Sequence, residues 1–385
     1  MLDTIIHRNS ISNSSASKKI LIMYDEEKMF IGDSFILINQ LASCKSFFEG
    51  GSIGINCRIQ RYTSLCHALL KNNPFISAFN NQPWEELDFD AYDIAFVISK
   101  NEQELLDILE QRYPPEDRSE RWRTALYSMT AQFLNSRLNP MITTVLPPFK
   151  EMLDNPAAYV SQLPRELYMG KDEQQWADEW LKSNGLKEHE QLFIVLDSTS
   201  ERYKLINMDT YHAILCHMLA EETVRILIFD EQGIGKEDFY KEWLGTEKAS
   251  RFIFAKNFSL RQSLSLLSST YTRLIFGPCT GLMHCASGIY NYFVRKGLPP
   301  SSIPPIVVYT GRYNGGYTAS FWWETSPLVT CLIIRKGTNG DKEVVVLSRL
   351  TGPERSDWDT LLHCNEYLPE MLLEHLPSHA NMVVI

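Results

Sequence analysis

The chain has 385 residues, 44% of them hydrophobic and 22% charged, which suits a globular protein of about two domains. Its formal net charge is −10 at pH 7, and no basic stripe interrupts that acidity, so a nucleic-acid partner is excluded as an expectation. No stretch approaches the roughly 18 apolar residues of a membrane span, so stable insertion is not expected.

Met1 to Ser17 is rich in Ser and Asn and lacks the apolar centre of a signal peptide, so it reads as a mobile tail. The eight cysteines form no CxxC pair and no metal-type cluster; Cys57 and Cys66 come nearest in spacing. Reduced, mostly buried thiols in a cytoplasmic protein follow, and no metal site.

Lys19 to Met23 reads as a buried first strand, followed by an acidic loop (Asp25, Glu26, Glu27). Gly32-Asp33 then opens a helical pattern through Phe35, Ile36, Ile38 and Leu41. Ser52 to Asn56 is a second strand, Leu65 to Lys71 a helix, and Asp93 to Ser99 another strand. Residues 101 to 160 read as helical and irregular, and Leu163 to Lys171 as an extended linker before a helix at Trp176 to Leu181.

The second half repeats the alternation. Strands are expected at Gln191 to Leu196, Arg225 to Phe229, Arg251 to Phe254, Arg273 to Gly277 and Ile306 to Tyr309. Helices fall at Asp209 to Ala220, Glu237 to Leu244 and Leu260 to Ser268. Residues 292 to 305 look like an insertion, and Trp358 to Leu376 like one amphipathic helix needing a partner surface. Alternating strands and helices predict parallel βαβ units, hence an α/β protein of two Rossmann-like domains facing a cleft. Their expected bounds are 18–165 and 166–350, with 351–385 a C-terminal helix and tail that packs across onto the first domain.

In such sheets ligands gather outside the carboxyl ends of the strands. The polar loops there are Gly32-Asp33, Ser198-Thr199-Ser200, Asp230-Glu231 and Thr280-Gly281. The last of these is the most informative. An apolar run ends at Gly277, then Pro278-Cys279-Thr280-Gly281 turns into a helix with His284 one turn in. Free N–H groups and the positive end of a helix dipole suit a phosphate there. A plain strand–turn–helix junction, with Thr280 as cap and His284 satisfied, fits the same residues.

Three segments resemble the ADP-heptose:lipopolysaccharide heptosyltransferase family, inverting glycosyltransferases of the GT-B fold. Lys204-Leu-Ile-Asn-Met-Asp-Thr-Tyr211 has the register of the family's Lys-Arg-Trp-Pro-x-x-x-Phe segment. Ser259 to Ser268 resembles its Ser-Leu-x-Glu-Leu-x-x-Leu helix, and Gly277 to Ala286 its Gly-Asn-Asp-Thr-Gly-x-x-His-x-Ala signature. Ile31-Gly32-Asp33 stands where the family has Gly-Asp after the first strand. The resemblance covers most of residues 190 to 312 and only the start of the first domain.

The resemblance implies metal-independent, inverting transfer of a heptose-like sugar from a nucleotide diphosphate donor, ADP-linked, to an unknown glycan, lipid-linked or protein acceptor. It implies no cofactor beyond that substrate. Asp33 becomes the base, with helix capping its other reading. Gly32, Ser198, Thr199, Lys204, Thr280, Gly281 and His284 become donor contacts, and Glu237 the ribose-contacting acid or a helix-start carboxylate. Cys279 stands where the family has Asp, and a thiol lacks a carboxylate's two acceptor oxygens. A silent relative that binds nucleotide or sugar, and a nucleotide-sugar epimerase of GT-B fold, therefore remain alternatives. Trp322-Trp323 is either a stacking surface for a sugar or ordinary packing.

Overall fold

A computed structural model describes residues 1–11, 19–25, 31–32, 35, 51–99, 101–128, 165–313, 323, 327–355 and 357–376. The chain divides into two compact units, Met1–Leu163 and Pro164–Ile385.

The first unit is built on a parallel sheet of β1 (Lys19–Asp25), β2 (Ser52–Asn56), β3 (Ile76–Asn80), β4 (Ile94–Ser99) and β5 (Ala125–Ser128). Its order is β3-β2-β1-β4-β5. The central strands β1 and β4 are buried along almost their whole length, which is why they read as continuous apolar runs. The expected N-terminal tail is instead a helix, α1 (Leu2–Ile11), as far as Ile11. Ile5 and Asn9 are buried in it, and Asn9 accepts from Leu126 N and donates to Leu126 O, each at 2.9 Å. A polar side chain thus completes the backbone pairing of edge strand β5, and composition alone does not reveal that tie. The longer of the other described helices are α2 (Gln60–Leu70) and α3 (Glu102–Arg112).

The second unit opens with α4 (Lys171–Ser183), then alternates β6 (Gln191–Val195), α5 (Met208–Met218), β7 (Val224–Asp230), α6 (Lys236–Leu244) and β8 (Phe252–Lys256). It continues through α7 (Leu260–Leu267), β9 (Thr272–Pro278), α8 (Gly281–Arg295), β10 (Ile306–Thr310), β11 (Val329–Lys336) and β12 (Lys342–Val346). The order is β12-β11-β10-β9-β6-β7-β8, parallel except for the β11–β12 hairpin at the edge. In each sheet the chain starts at a central strand, winds to one side, then returns to wind to the other. That doubling back creates the switch point at which open α/β sheets place ligands.

Three expectations about the second unit need correction. Residues 165–170 are not a solvated linker: Leu167, Tyr168 and Met169 are buried, and Leu167 N donates to Gly288 O of α8 at 2.9 Å. The start of the expected insertion belongs to α8, which runs to Arg295. Trp358 to Leu376 is not one helix but two 3₁₀ turns and α9 (Pro369–Leu373). Its Leu362, Cys364, Tyr367, Leu372 and Leu376 enter the second unit's own core beside Ile214, Leu215 and Tyr309. Tyr367 fixes the path, its hydroxyl lying 2.8 Å from Thr310 O and 3.0 Å from Leu332 O.

All seven described cysteines are free, and all but Cys216 are buried. Among the described residues no helix is long and apolar enough to cross a membrane, and no group of three or more His, Cys, Asp or Glu could hold a metal.

Candidate functional site

The carboxyl ends of β6 and β9 meet at the switch point of the second sheet. Leu196 N donates to Phe276 O at 2.9 Å, and the backbones press so closely that a Cβ on Gly277 would lie 2.6 Å from Leu196 O. Two loops leave from this contact, Asp197 to Ser200 on one side and Cys279-Thr280 on the other. Thr280 occupies the N-cap position of α8, but its side chain makes no capping bond. Its Oγ1 is buried and without a hydrogen-bond partner. A buried hydroxyl left unpaired costs about 1–3 kcal/mol, and a ligand oxygen would recover it.

One turn into α8, His284 is buried, its ring stacked on Trp323 at 4.1 Å with 7° between planes. Trp323 Nε1 donates to Cys279 Sγ at 3.3 Å, and His284 Nε2 lies 3.6 Å from the same sulfur. Trp323 therefore packs against the histidine; Trp322 lies outside the described residues. Cys279 serves as the acceptor that orients this stack.

Burial, with the positive charges of Arg165 and Lys204, holds the His284 pKa down to about 3. The imidazole is neutral at any ordinary pH, so it acts as a hydrogen-bonding group rather than a cation. The linkage has a definite sign. The unfolded chain takes up the proton near pH 6.5 and the folded one does not, so stability falls as pH drops from 6.5 toward 3. At pH 5 the loss from this one group is about 2 kcal/mol. A His284→Gln variant should show a correspondingly flatter melting-temperature profile between pH 7 and 5, and equal slopes would refute the assignment.

Lys204 ends a 3₁₀ turn (Arg202–Lys204), with its ammonium 4.9 Å from the centre of the Tyr313 ring. Tyr313 in turn shares a hydrogen bond with Cys279 and lies 3.3 Å from Thr310 Oγ1. Lys204, Cys279, Thr280, Gly281 and His284 therefore belong to one cluster.

The loop after β6 is held by a residue the sequence reading passed over. Lys236 Nζ donates to Asp197 Oδ1 and Ser198 Oγ, each at 2.6 Å, and Tyr240 OH donates to Asp197 Oδ2 at 2.9 Å. A lysine in the first turn of a helix opposes the macrodipole, and that misfit was the available signal of a carboxylate partner. Thr199 Oγ1 accepts from Glu201 N at 3.5 Å.

No family model matches the sequence, and no curated protein matches it. Solved structures do. E. coli ADP-heptose lps heptosyltransferase II superposes with a TM-score of 0.53 at 14% identity, over 88% of this chain and 96% of that one. A glycosyl transferase family 9 protein from Veillonella parvula gives 0.51 at 14% identity, over 79% and 83%. The chain shares the fold of these two structures.

Within this fold the other expected residues are placed as follows. Glu237 pairs with Lys241 at 2.6 Å and Lys256 at 2.5 Å, which lower its pKa, so its carboxylate is engaged by surface lysines. In the first unit Gly32 is helical, as are Ile31 and the buried Phe35, whereas Asp33 lies outside the described residues.

Of the acidic residues expected in the loop after β1, Asp25 instead ends that strand, and Glu26 and Glu27 lie outside the described residues. Asp25 is buried, accepting from Arg58 Nη2 at 2.9 Å and Ser99 Oγ at 3.2 Å. Arg58 also forks onto Glu104 at 2.7 and 2.8 Å and lies 3.7 Å above the Trp84 ring. Glu104 raises the Arg58 pKa, so this guanidinium stays charged.

Proposed function

We propose that the chain is an inverting glycosyltransferase that moves a sugar from a nucleoside diphosphate donor to an acceptor hydroxyl. The observation that carries this reading is the unpartnered, buried Thr280 hydroxyl at the start of α8, with Lys204 acting on the imidazole one turn in. The fold supports it, and the named donor of the E. coli relative makes an ADP-linked heptose the first candidate. Thr280, the N–H groups at Gly281 and beyond, and His284 would bond the diphosphate, and Lys204 would meet its charge.

Asp33 is assigned the base. As the acceptor oxygen bonds to the anomeric carbon, its proton passes to the Asp33 carboxylate. The anomeric C–O bond breaks at the same time, its electron pair leaving on the diphosphate. The charge on that leaving group is met by Lys204 and the helix N-terminus, so the step is proposed to run without a metal. Cys279 favours a second reading, a silent relative that binds nucleotide without turnover, since this thiol orients Trp323 and His284 where a carboxylate was expected.

The test is thermal shift against ADP, UDP, GDP, CDP and dTDP and their sugar conjugates, ADP-heptose among them. A ligand at 100 times its Kd adds about 2.7 kcal/mol, which for a unit of this size raises Tm by roughly 5–10 °C. No shift with any of them would end the donor-site reading. Products formed with no acceptor present would favour an epimerase.

A further inference from the structure

The hydrogen-bond network behind the loop after β6 leaves one proton without a good acceptor. Lys236 is the first residue of α6, and the side chain of the buried Asp230 fixes its backbone. Asp230 Oδ1 accepts from Ile234 N at 2.8 Å, and Oδ2 from Lys236 N at 3.3 Å. From that fixed point the ammonium directs its three N–H groups to Asp197 Oδ1, Ser198 Oγ and Phe229 O. Asp197 Oδ2 accepts from Tyr240 OH, so the Tyr240 oxygen, 2.7 Å from Tyr211 OH, accepts the Tyr211 proton. Every donor in this network except one has a close acceptor.

The exception is Ser198. Its oxygen accepts from Lys236 at 2.6 Å, which leaves its own proton to point elsewhere. Among the described residues that proton's only acceptor is Asp197 Oδ1 at 3.4 Å, an oxygen Lys236 already engages at 2.6 Å. A hydroxyl that accepts from an ammonium is polarised, and its proton becomes a stronger donor. Ser198 is half-buried and stands two residues beyond Leu196, whose N–H pairs with Phe276 O just before the turn to Thr280. In the sheet β6 lies between β7 and β9, so Lys236 holds the loop from the β7 side while Thr280 stands on the β9 side. Ser198 and the unpartnered Thr280 hydroxyl thus offer two donors from neighbouring loops, as an oxyanion requires.

We propose that Lys236 is a positioning residue of the donor site. Through Asp197 it fixes the loop after β6, and through Ser198 it presents a polarised hydroxyl to the diphosphate. Lys236 itself touches no substrate, because all three of its N–H groups are taken. This rests on the donor-site reading above.

Calorimetric titration of ADP, or of another nucleoside diphosphate that shifts Tm, tests it on the full chain through a double-mutant cycle. One arm is Ser198→Ala. The other is Lys236→Met made together with Asp197→Asn, so that no carboxylate is left without its cation. Each arm should weaken the nucleotide by about 10- to 100-fold, as expected for a lost hydrogen bond to a charged group. All three substitutions together should weaken it by no more than about threefold beyond Ser198→Ala alone, since Lys236 acts through that hydroxyl. A merely structural lysine would give losses that multiply. Lys236→Arg, which keeps the charge but splays its N–H groups in a plane, carries the same cycle if the paired variant does not fold. Multiplying losses, or wild-type affinity in either arm at normal Tm, overturn the proposal and leave the donor site standing. A wild-type chain that binds none of ADP, UDP, GDP, CDP and dTDP overturns the donor site itself.

Discussion

Asp33→Asn is expected to lower kcat by about 10²–10⁴-fold, the usual contribution of a positioned general base. Asparagine keeps the shape and can still cap a helix, but it cannot take the acceptor proton. The two readings of Asp33 therefore separate cleanly. A cap role predicts a small loss of stability and normal turnover, since Asp and Asn cap about equally well. A base role predicts normal stability, normal ADP binding and lost turnover. Rapid-quench measurement of product, alongside ADP titration of the same sample, reads both. Full turnover by the Asn variant would remove Asp33 from the chemistry.

Gly277→Ala is expected to damage fold and site together. The new methyl would meet Leu196 O at 2.6 Å and Leu196 Cβ at 2.8 Å, and the first of these is backbone that no rotamer change can move. Strands β6 and β9 would have to part at the point where both site loops begin. Overpacking of this kind costs about 1–3 kcal/mol, a Tm drop of roughly 3–10 °C for a unit of this size. The displacement also moves Thr280 away from the β6 loop, so ADP affinity should fall by more than the stability loss alone explains. Unchanged melting with unchanged ADP affinity would show that the contact yields easily.

The alternating architecture was legible because β1, β4, β6, β7 and β9 are buried on both faces and announce themselves as apolar runs. Two edge strands gave no such signal: β3 is half-exposed along its length, and β12 likewise. The Thr-Gly-x-x-His turn was legible for the same local reason, since strand, turn and helix start are adjacent in sequence. Lys236 and Asp197 were not, because each acquires its role from a partner far along the chain. Burial of Lys236 against Asp197 exists only once β6 and β7 are side by side. The C-terminal segment misled through periodicity. Its leucines are spaced as for one helix, yet Pro369 starts a new helix there and tertiary docking, rather than one helix face, buries them.

That docking has a consequence for synthesis. The second unit's sheet has all its described strands by Val346, but its core still lacks Leu362, Cys364, Tyr367, Leu372 and Leu376. Until those residues leave the ribosome, the nascent sheet exposes the apolar face around Tyr309, Leu332 and Ile334 that they cover. The first unit can close early in translation, whereas the second must wait for residues 362–376, holding a sticky surface open meanwhile.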